Sequence, residues 1–117
     1  MIEYTSLPLD GVENGIVLEL TGKLDAASSE YLLDCVQGFI DRGERKVVLD
    51  CFDLDSISSV GLGTLVRANS RLKSHGGTIA LVGVQGLVAD VLRVVHFDRL
   101  FGLYPDLDEA KAALANT

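Results

Sequence analysis

The sequence has 117 residues, of which 48% are hydrophobic and 23% charged, so it suits one compact domain with a buried core and excludes both a second domain and a disordered chain. Its net charge of −7 excludes a nucleic-acid-binding protein, because binding to phosphates needs a basic face, and no apolar run approaches the roughly 18 residues of a membrane-spanning helix. We therefore expect a cytoplasmic protein, in which Cys35 and Cys51 are buried thiols in a reducing compartment.

The first third of the chain is predicted to form an antiparallel pair of strands and a helix. Residues 3–8 are a candidate edge strand, and a turn leads into a second strand over residues 16–21, which Gly22 is expected to end. Asp25 is a candidate N-cap for the helix, and Gly43 is expected to end it. The apolar residues of this helix recur at the spacing of one helical face: Leu32, Cys35, Val36, Phe39 and Ile40.

A strand–helix–strand unit is predicted next, because residues 46–52 contain contiguous aliphatic residues typical of a strand covered on both faces. The right-handed connection makes this strand parallel to the preceding one, so their carboxyl ends lie at the same edge of the sheet. Residues 22–25 and 58–59 follow these two strands. Asp25 is therefore expected to come close to Ser59, at the edge where sites form in open α/β sheets.

The remaining elements alternate between helix and strand. A second helix is predicted from about residue 60 to residue 74, then strands over residues 78–82 and 99–104, and Asp106 is expected to cap a last helix. The apolar stripe of the second helix is Leu62, Leu65, Val66, Asn69 and Leu72. The stripe of a third helix, between those two strands, is Val84, Leu87, Val88, Val91, Leu92 and Val95.

Two serines and two glycines stand where the second helix begins: Ser58, Ser59, Gly61 and, after Leu62, Gly63. One serine can cap the helix, which is the commoner role of such serines, while the other stays exposed. A helix N-terminus favours added negative charge, so this is a suitable place to attach or bind a phosphate. Each glycine costs about 0.5–1 kcal/mol relative to alanine in a helix, which indicates either tight internal packing or the close approach of another molecule.

The residues disfavour an enzyme, a cofactor or a metal site. A nucleophile elbow needs a glycine two residues before the serine, where this chain has Ile57, and a dinucleotide fingerprint needs one where it has Val66. Asp53 and Asp55 could coordinate a cation, but solvated loop acids are the commoner explanation. Two cysteines and two histidines without metal-ligand spacing argue against zinc.

Residues 22–25 and 55–63 resemble the two signatures of the STAS domain, and the whole chain resembles the bacterial anti-sigma factor antagonists in length and element order. The resemblance implies a single STAS-type domain over residues 1–117, an α/β fold with a mixed sheet of four to five strands and about four helices packed on it. It also implies that the unphosphorylated protein binds an anti-sigma factor, usually a serine-protein kinase, and so frees a sigma factor. Phosphorylation of one serine would weaken that complex, and a serine phosphatase would restore it.

The resemblance places the phosphorylated residue on Ser59, with Ser58 as the second choice, and the aspartate of the first signature on Asp25. It implies a partner-binding surface made of Asp25, Ser58, Ser59, Gly61, Leu62 and Gly63. The chain departs from the best-known members at Ser58, where they have an aspartate, and at Val60, where they have a serine. Two alternatives stay open: a STAS scaffold that is never phosphorylated, and a small-ligand-sensing module or hydrolase at the same edge.

Overall fold

Five strands form one mixed sheet in the computed structural model, which describes residues 2–115 apart from the side chain of Asp98. In spatial order, which is also chain order, the strands are β1 (Ile2–Pro8), β2 (Gly15–Leu24), β3 (Lys46–Ile57), β4 (Thr78–Val82) and β5 (Gly102–Tyr104). The first pair is antiparallel and the other three pairs are parallel. The predicted mixed sheet is thus confirmed, as is the parallel relation of the two strands that precede the candidate site.

Four helices cover the sheet, as predicted. They are α1 (Ala26–Asp41), α2 (Ser59–Ser74), α3 (Gly86–Val94) and α4 (Leu107–Leu114). The larger core lies between one face of the sheet and α1, α2 and α3, whereas α4 packs on the other face against Val17, Val48 and Ala80. Adjacent residues of one strand belong to different cores, as Leu18 and Val17 do, because successive side chains of a strand point to opposite faces.

Both strands that lead to the candidate site are longer than predicted. Gly22 does not end β2, since it pairs with Leu54 and the pairing continues to Leu24. Gly22 has a φ of 109°, and a register shift follows it, so the glycine absorbs an irregularity without ending the strand. The interpretation of Asp53 and Asp55 as loop acids is also wrong, because both lie within β3.

The second half of the chain shows three further differences. The helical spacing predicts that Leu87 and Val95 belong to a buried stripe, but they are 74% and 41% exposed, because the buried face of α3 consists of Val88 and Leu92 and Val95 follows its last residue. Val66 of α2 is likewise exposed. The predicted strand over residues 99–104 forms only as β5, because a short 3₁₀ helix (Phe97–Arg99) occupies the preceding residues.

The two thiols differ from each other in burial. Cys51 is buried as predicted, and this burial raises the pKa of its thiol to about 12. Cys35 is only partly buried, and its pKa is also raised, mainly by desolvation. Both cysteines are free, and both thiols stay protonated at neutral pH, so neither is a ready nucleophile.

Candidate functional site

The candidate site lies where β2 and β3 end side by side. Leu24 pairs with Ile57 in the parallel ladder, and the residues that follow them are Asp25 and Ser58. The backbone N–H of Ser58 donates to the carbonyl oxygen of Leu24 over 2.9 Å, which ties the start of α2 to the segment before α1. The prediction that the two segments share one edge of the sheet is therefore confirmed.

Ser58 is the residue that caps α2. Its Oγ accepts a hydrogen bond from the N–H of Gly61 over 3.1 Å, and its carbonyl oxygen accepts from the N–H of Leu62 over 2.9 Å. Its backbone is extended, with φ −92° and ψ 172°, as N-cap residues usually are. The Ser58 hydroxyl thus has a structural role as the cap of α2.

Ser59 is the first residue of α2 and is exposed. None of the hydrogen bonds found within residues 2–115 involves its hydroxyl. The unpaired backbone N–H groups of the first turn give this end of the helix a partial positive charge, and the turn carries no acidic side chain. A solvent-facing hydroxyl in this place can be modified without disturbing the cap.

The two glycines of the first turns have different surroundings. A Cβ on Gly61 would collide with the carbonyl oxygen of Leu24 and would come within 3.0 Å of the Ile57 side chain. A Cβ on Gly63 would meet nothing within 4 Å. Internal packing therefore explains Gly61, whereas Gly63 is exposed and leaves a bare stretch of helix backbone beside Ser59.

Two exposed valines extend the surface around Ser59. Val60 is 47% exposed and Val66 is 36% exposed, and both lie on the first two turns of α2. The helical spacing predicts Val66 as part of the buried stripe and indicates no role for Val60. The signal available for Val60 was its position outside that stripe, since it precedes Leu62 by two residues and so lies on another face of the helix.

Asp25 caps α1 through a capping box. Its Oδ1 accepts from the N–H groups of Ala27 and Ser28 over 3.1 and 3.2 Å, while the Asp25 N–H donates to Ser28 Oγ over 2.9 Å. Ser29 Oγ donates to the Asp25 carbonyl oxygen over 2.7 Å. Desolvation raises the pKa of the Asp25 carboxyl, whereas the hydrogen bonds from Ser28 and Ala27 lower it, and the resulting pKa lies below its usual value.

The lowered pKa predicts how Asp25→Ala changes stability with pH. The carboxylate stabilises the fold fully above its unfolded pKa of about 4, and this contribution is lost as the pH falls through the lower folded value. Urea unfolding should therefore show Asp25→Ala as clearly less stable than wild type at pH 7, with a gap that narrows at the acid end. Asp25→Asn is the matched control, because an asparagine caps without titrating. A gap that is the same at pH 7 and at pH 3 would contradict this role.

The helix that begins at Ser59 has a histidine at its opposite end. His75 is the C-cap of α2, about 24 Å along the helix from Ser59 at 1.5 Å per residue. Four cavities in the described part of the chain are lined by residues other than Ser58 and Ser59. No group of three or more histidine, cysteine, aspartate or glutamate side chains within residues 2–115 is arranged to hold a metal ion.

The sequence profile of the STAS domain matches residues 7–110. The chain belongs to the STAS domain family. This STAS domain is 30% identical over 107 residues to BtrV of Bordetella bronchiseptica, covering 92% of each chain, and that protein's name assigns it provisionally to the anti-sigma factor antagonists. A crystal structure from Thermotoga maritima with the same provisional description, TM1081, superposes with a TM-score of 0.85 at 25% identity, covering 95% of this chain and 93% of that one.

SpoIIAA, an anti-sigma factor antagonist, shares the fold at 16% identity. Its unphosphorylated form superposes with a TM-score of 0.81 over 98% of both chains. Its phosphorylated form, from Bacillus, superposes with a TM-score of 0.73, covering 96% of this chain and 99% of that one. Within the described residues of the present STAS domain, no helix combines the length and apolar character needed to cross a bilayer.

Proposed function

We propose that this STAS domain is an anti-sigma factor antagonist that is switched by phosphorylation of Ser59. In the unphosphorylated state it binds an anti-sigma factor with serine kinase activity, which frees a sigma factor and so regulates transcription. The observation that carries the proposal is that the two serine hydroxyls have different roles. The Ser58 hydroxyl caps α2, whereas the Ser59 hydroxyl is exposed and makes none of the described hydrogen bonds.

The proposed binding surface surrounds Ser59 on the first turns of α2. The missing side chain at Gly63 lets a partner approach the helix backbone, and the exposed side chain of Val60 supplies apolar contact. Ser58, Gly61 and Leu62 hold this surface in shape, because their side chains and backbone groups pack inward or form the cap. The surface also includes Asp25, because this residue follows Leu24, whose carbonyl oxygen accepts from the Ser58 N–H.

The switch is electrostatic. Phosphorylation adds about −1.5 to −2 charges at neutral pH. The N-terminus of α2 favours that charge, so the fold tolerates it. A partner surface packed closely on Ser59 does not, because a phosphate buried in an interface without a matched cation loses its hydration. The modification therefore changes binding while the domain stays folded, and a serine phosphatase reverses it.

We also propose that the domain works in the cytoplasm as a binding protein without catalytic activity. An anti-sigma factor acts where RNA polymerase acts, and the two free thiols suit a reducing compartment. The relatives named as anti-sigma factor antagonists support the same assignment.

Phosphate mapping tests the proposal directly. The purified domain is incubated with ATP and each anti-sigma-type serine kinase of the host, and the product is analysed by intact mass and peptide sequencing. We expect one phosphate, on Ser59, in the wild type and in Ser58→Ala, and none in Ser59→Ala. The Ser58→Ala variant loses a cap worth about 0.5–2 kcal/mol, so its melting temperature is measured alongside. A phosphate on Ser58 would overturn the residue assignment, and a domain that binds such a kinase but is never phosphorylated would support the scaffold alternative.

A further inference from the structure

The free edge of β1 is a second surface of interest, and β2 separates it from β3, the strand that leads to Ser59. β1 pairs with β2 and lies at the end of the sheet order. The N–H of Leu9 donates to the Gly15 carbonyl oxygen over 3.0 Å, so the backbone groups of Leu9 face β2. In an antiparallel pair, alternate residues of a strand direct their N–H and C=O groups toward the partner strand and away from it. The outward-facing backbone groups of β1 therefore belong to the even-numbered residues Ile2, Tyr4 and Ser6. Their N–H and C=O groups form an open ladder on which an extended segment can pair.

An aromatic groove lies beside this edge on the side covered by α1. It has a volume of about 570 Å³ and is lined by residues of β1 and of the first turns of α1, which are Ile2, Glu3, Tyr4, Ala27, Ser28 and Tyr31. The rings of Tyr4 and Tyr31 contact each other at a centroid distance of 5.2 Å, and Tyr31 is 50% exposed. The groove can therefore take apolar or aromatic side chains from a segment that pairs with β1.

The opposite face of the sheet at the same edge is acidic. A smaller cavity of about 220 Å³ there extends inward from the edge and is lined by four carboxylates, from Glu3 on β1, Glu19 on β2, and Asp50 and Asp53 on β3. No lysine or arginine is among the described residues of this lining. An added strand sends alternate side chains to the two faces, so one set would enter the aromatic groove and the other would lie beside Glu3 and extend toward Glu19.

We infer that β1 binds an extended basic segment of a partner protein as a sixth strand of the sheet. Its apolar or aromatic side chains fill the groove of Tyr4 and Tyr31, and its alternate lysine or arginine side chains lie over the acidic face. Charge decides against a second copy of this chain as the occupant, because pairing two β1 strands edge to edge would bring their acidic faces together. Neither Ser58 nor Ser59 lines this surface.

Two synthetic peptides of about seven residues, the length of β1, test the inference. One alternates lysine with valine and tyrosine, and the control carries glutamate in place of lysine. Each is titrated into the ¹⁵N-labelled full chain. We expect the basic peptide to shift the amide signals of β1 and to slow hydrogen exchange of the Tyr4 and Ser6 N–H groups by about tenfold or more, because these groups become paired. The acidic peptide should do neither. Equal binding of both peptides, or shifts confined to other elements, would overturn the inference.

Matched variants separate the contribution of backbone pairing from the contribution of charge to peptide binding. Ser6→Pro removes one outward N–H at an edge position that tolerates proline, and it should weaken binding about tenfold or more, whereas Ser6→Ala should not. Glu19→Lys should weaken binding of the basic peptide several-fold, whereas Glu13→Lys, in the β1–β2 turn and outside the lining of the acidic cavity, should leave it unchanged. Melting temperatures show whether each variant is folded. If Ser6→Pro is unfolded, the comparison of Glu19→Lys with Glu13→Lys tests the inference by itself.

Sedimentation of the free protein tests whether a second copy of this chain binds at β1 instead. A dimer that Ser6→Pro dissolves would show that β1 serves self-association and would overturn the inference. Neither Ser6→Ala nor Glu19→Lys should alter phosphorylation of Ser59, so the failure of one proposal is distinguishable from the failure of the other.

Discussion

Replacing Ser59 by aspartate should reduce affinity for the anti-sigma factor by roughly 30- to 150-fold while leaving the domain folded. A charge placed against a closely packed partner costs several kcal/mol, and about 2–3 kcal/mol corresponds to this range. Within the free domain the new carboxylate stands at the first position of α2, where the helix N-terminus favours it. The free energy of unfolding should therefore change by less than about 0.5 kcal/mol.

Ser58→Asp is the matched control for this prediction. Aspartate is itself a good N-cap, so it can accept from the Gly61 N–H in place of the serine hydroxyl. Its charge is then directed toward the helix backbone, and affinity for the partner should fall much less than in Ser59→Asp. Isothermal titration with the purified anti-sigma factor gives both affinities, and thermal melting checks the fold. If Ser58→Asp abolishes binding while Ser59→Asp preserves it, the proposed switch residue is wrong.

The order of the elements was predictable because each depends on a strong local pattern. The aliphatic run in β3, the helical spacing in α1 and the turn before β2 were sufficient to predict the α/β fold and the mixed sheet. The extension of β2 and β3 was not predictable, since Gly22 and Asp55 are residues that usually end strands. A register shift at Gly22 lets the pairing continue to Leu24 and Ile57, and only the tertiary structure reveals it.

The different roles of the two serines and of the two glycines were likewise not predictable from the sequence. Either serine could cap α2 on sequence grounds, and the choice follows from one hydrogen bond, from the Gly61 N–H to Ser58 Oγ. Both glycines looked equally costly in the first helical turn. What distinguishes them is the carbonyl oxygen of Leu24, a residue distant in sequence that lies against Gly61 and not against Gly63.

Exchanging these glycines for alanine should therefore have opposite effects on stability. Gly61→Ala should lower the free energy of unfolding by about 2–3 kcal/mol, because its methyl group collides with a backbone carbonyl that cannot move without disrupting the end of β2. Helix propensity alone would predict a gain of about 1 kcal/mol from the same change. Gly63→Ala meets no neighbour and should gain about 0.5–1 kcal/mol. Chemical unfolding of the two variants gives both signs in one experiment.

The two glycine-to-alanine variants should also differ in their affinity for the partner. If a partner approaches the α2 backbone at Gly63, the stabilised Gly63→Ala variant should bind the anti-sigma factor more weakly, so stability and affinity move in opposite directions. The same Leu24 carbonyl accepts from the Ser58 N–H, so Gly61→Ala should displace the whole first turn of α2, including Ser59. Reduced affinity in Gly61→Ala would then accompany lost stability. A Gly63→Ala variant that binds as tightly as wild type would show that the bare helix surface beside Ser59 is not part of the interface.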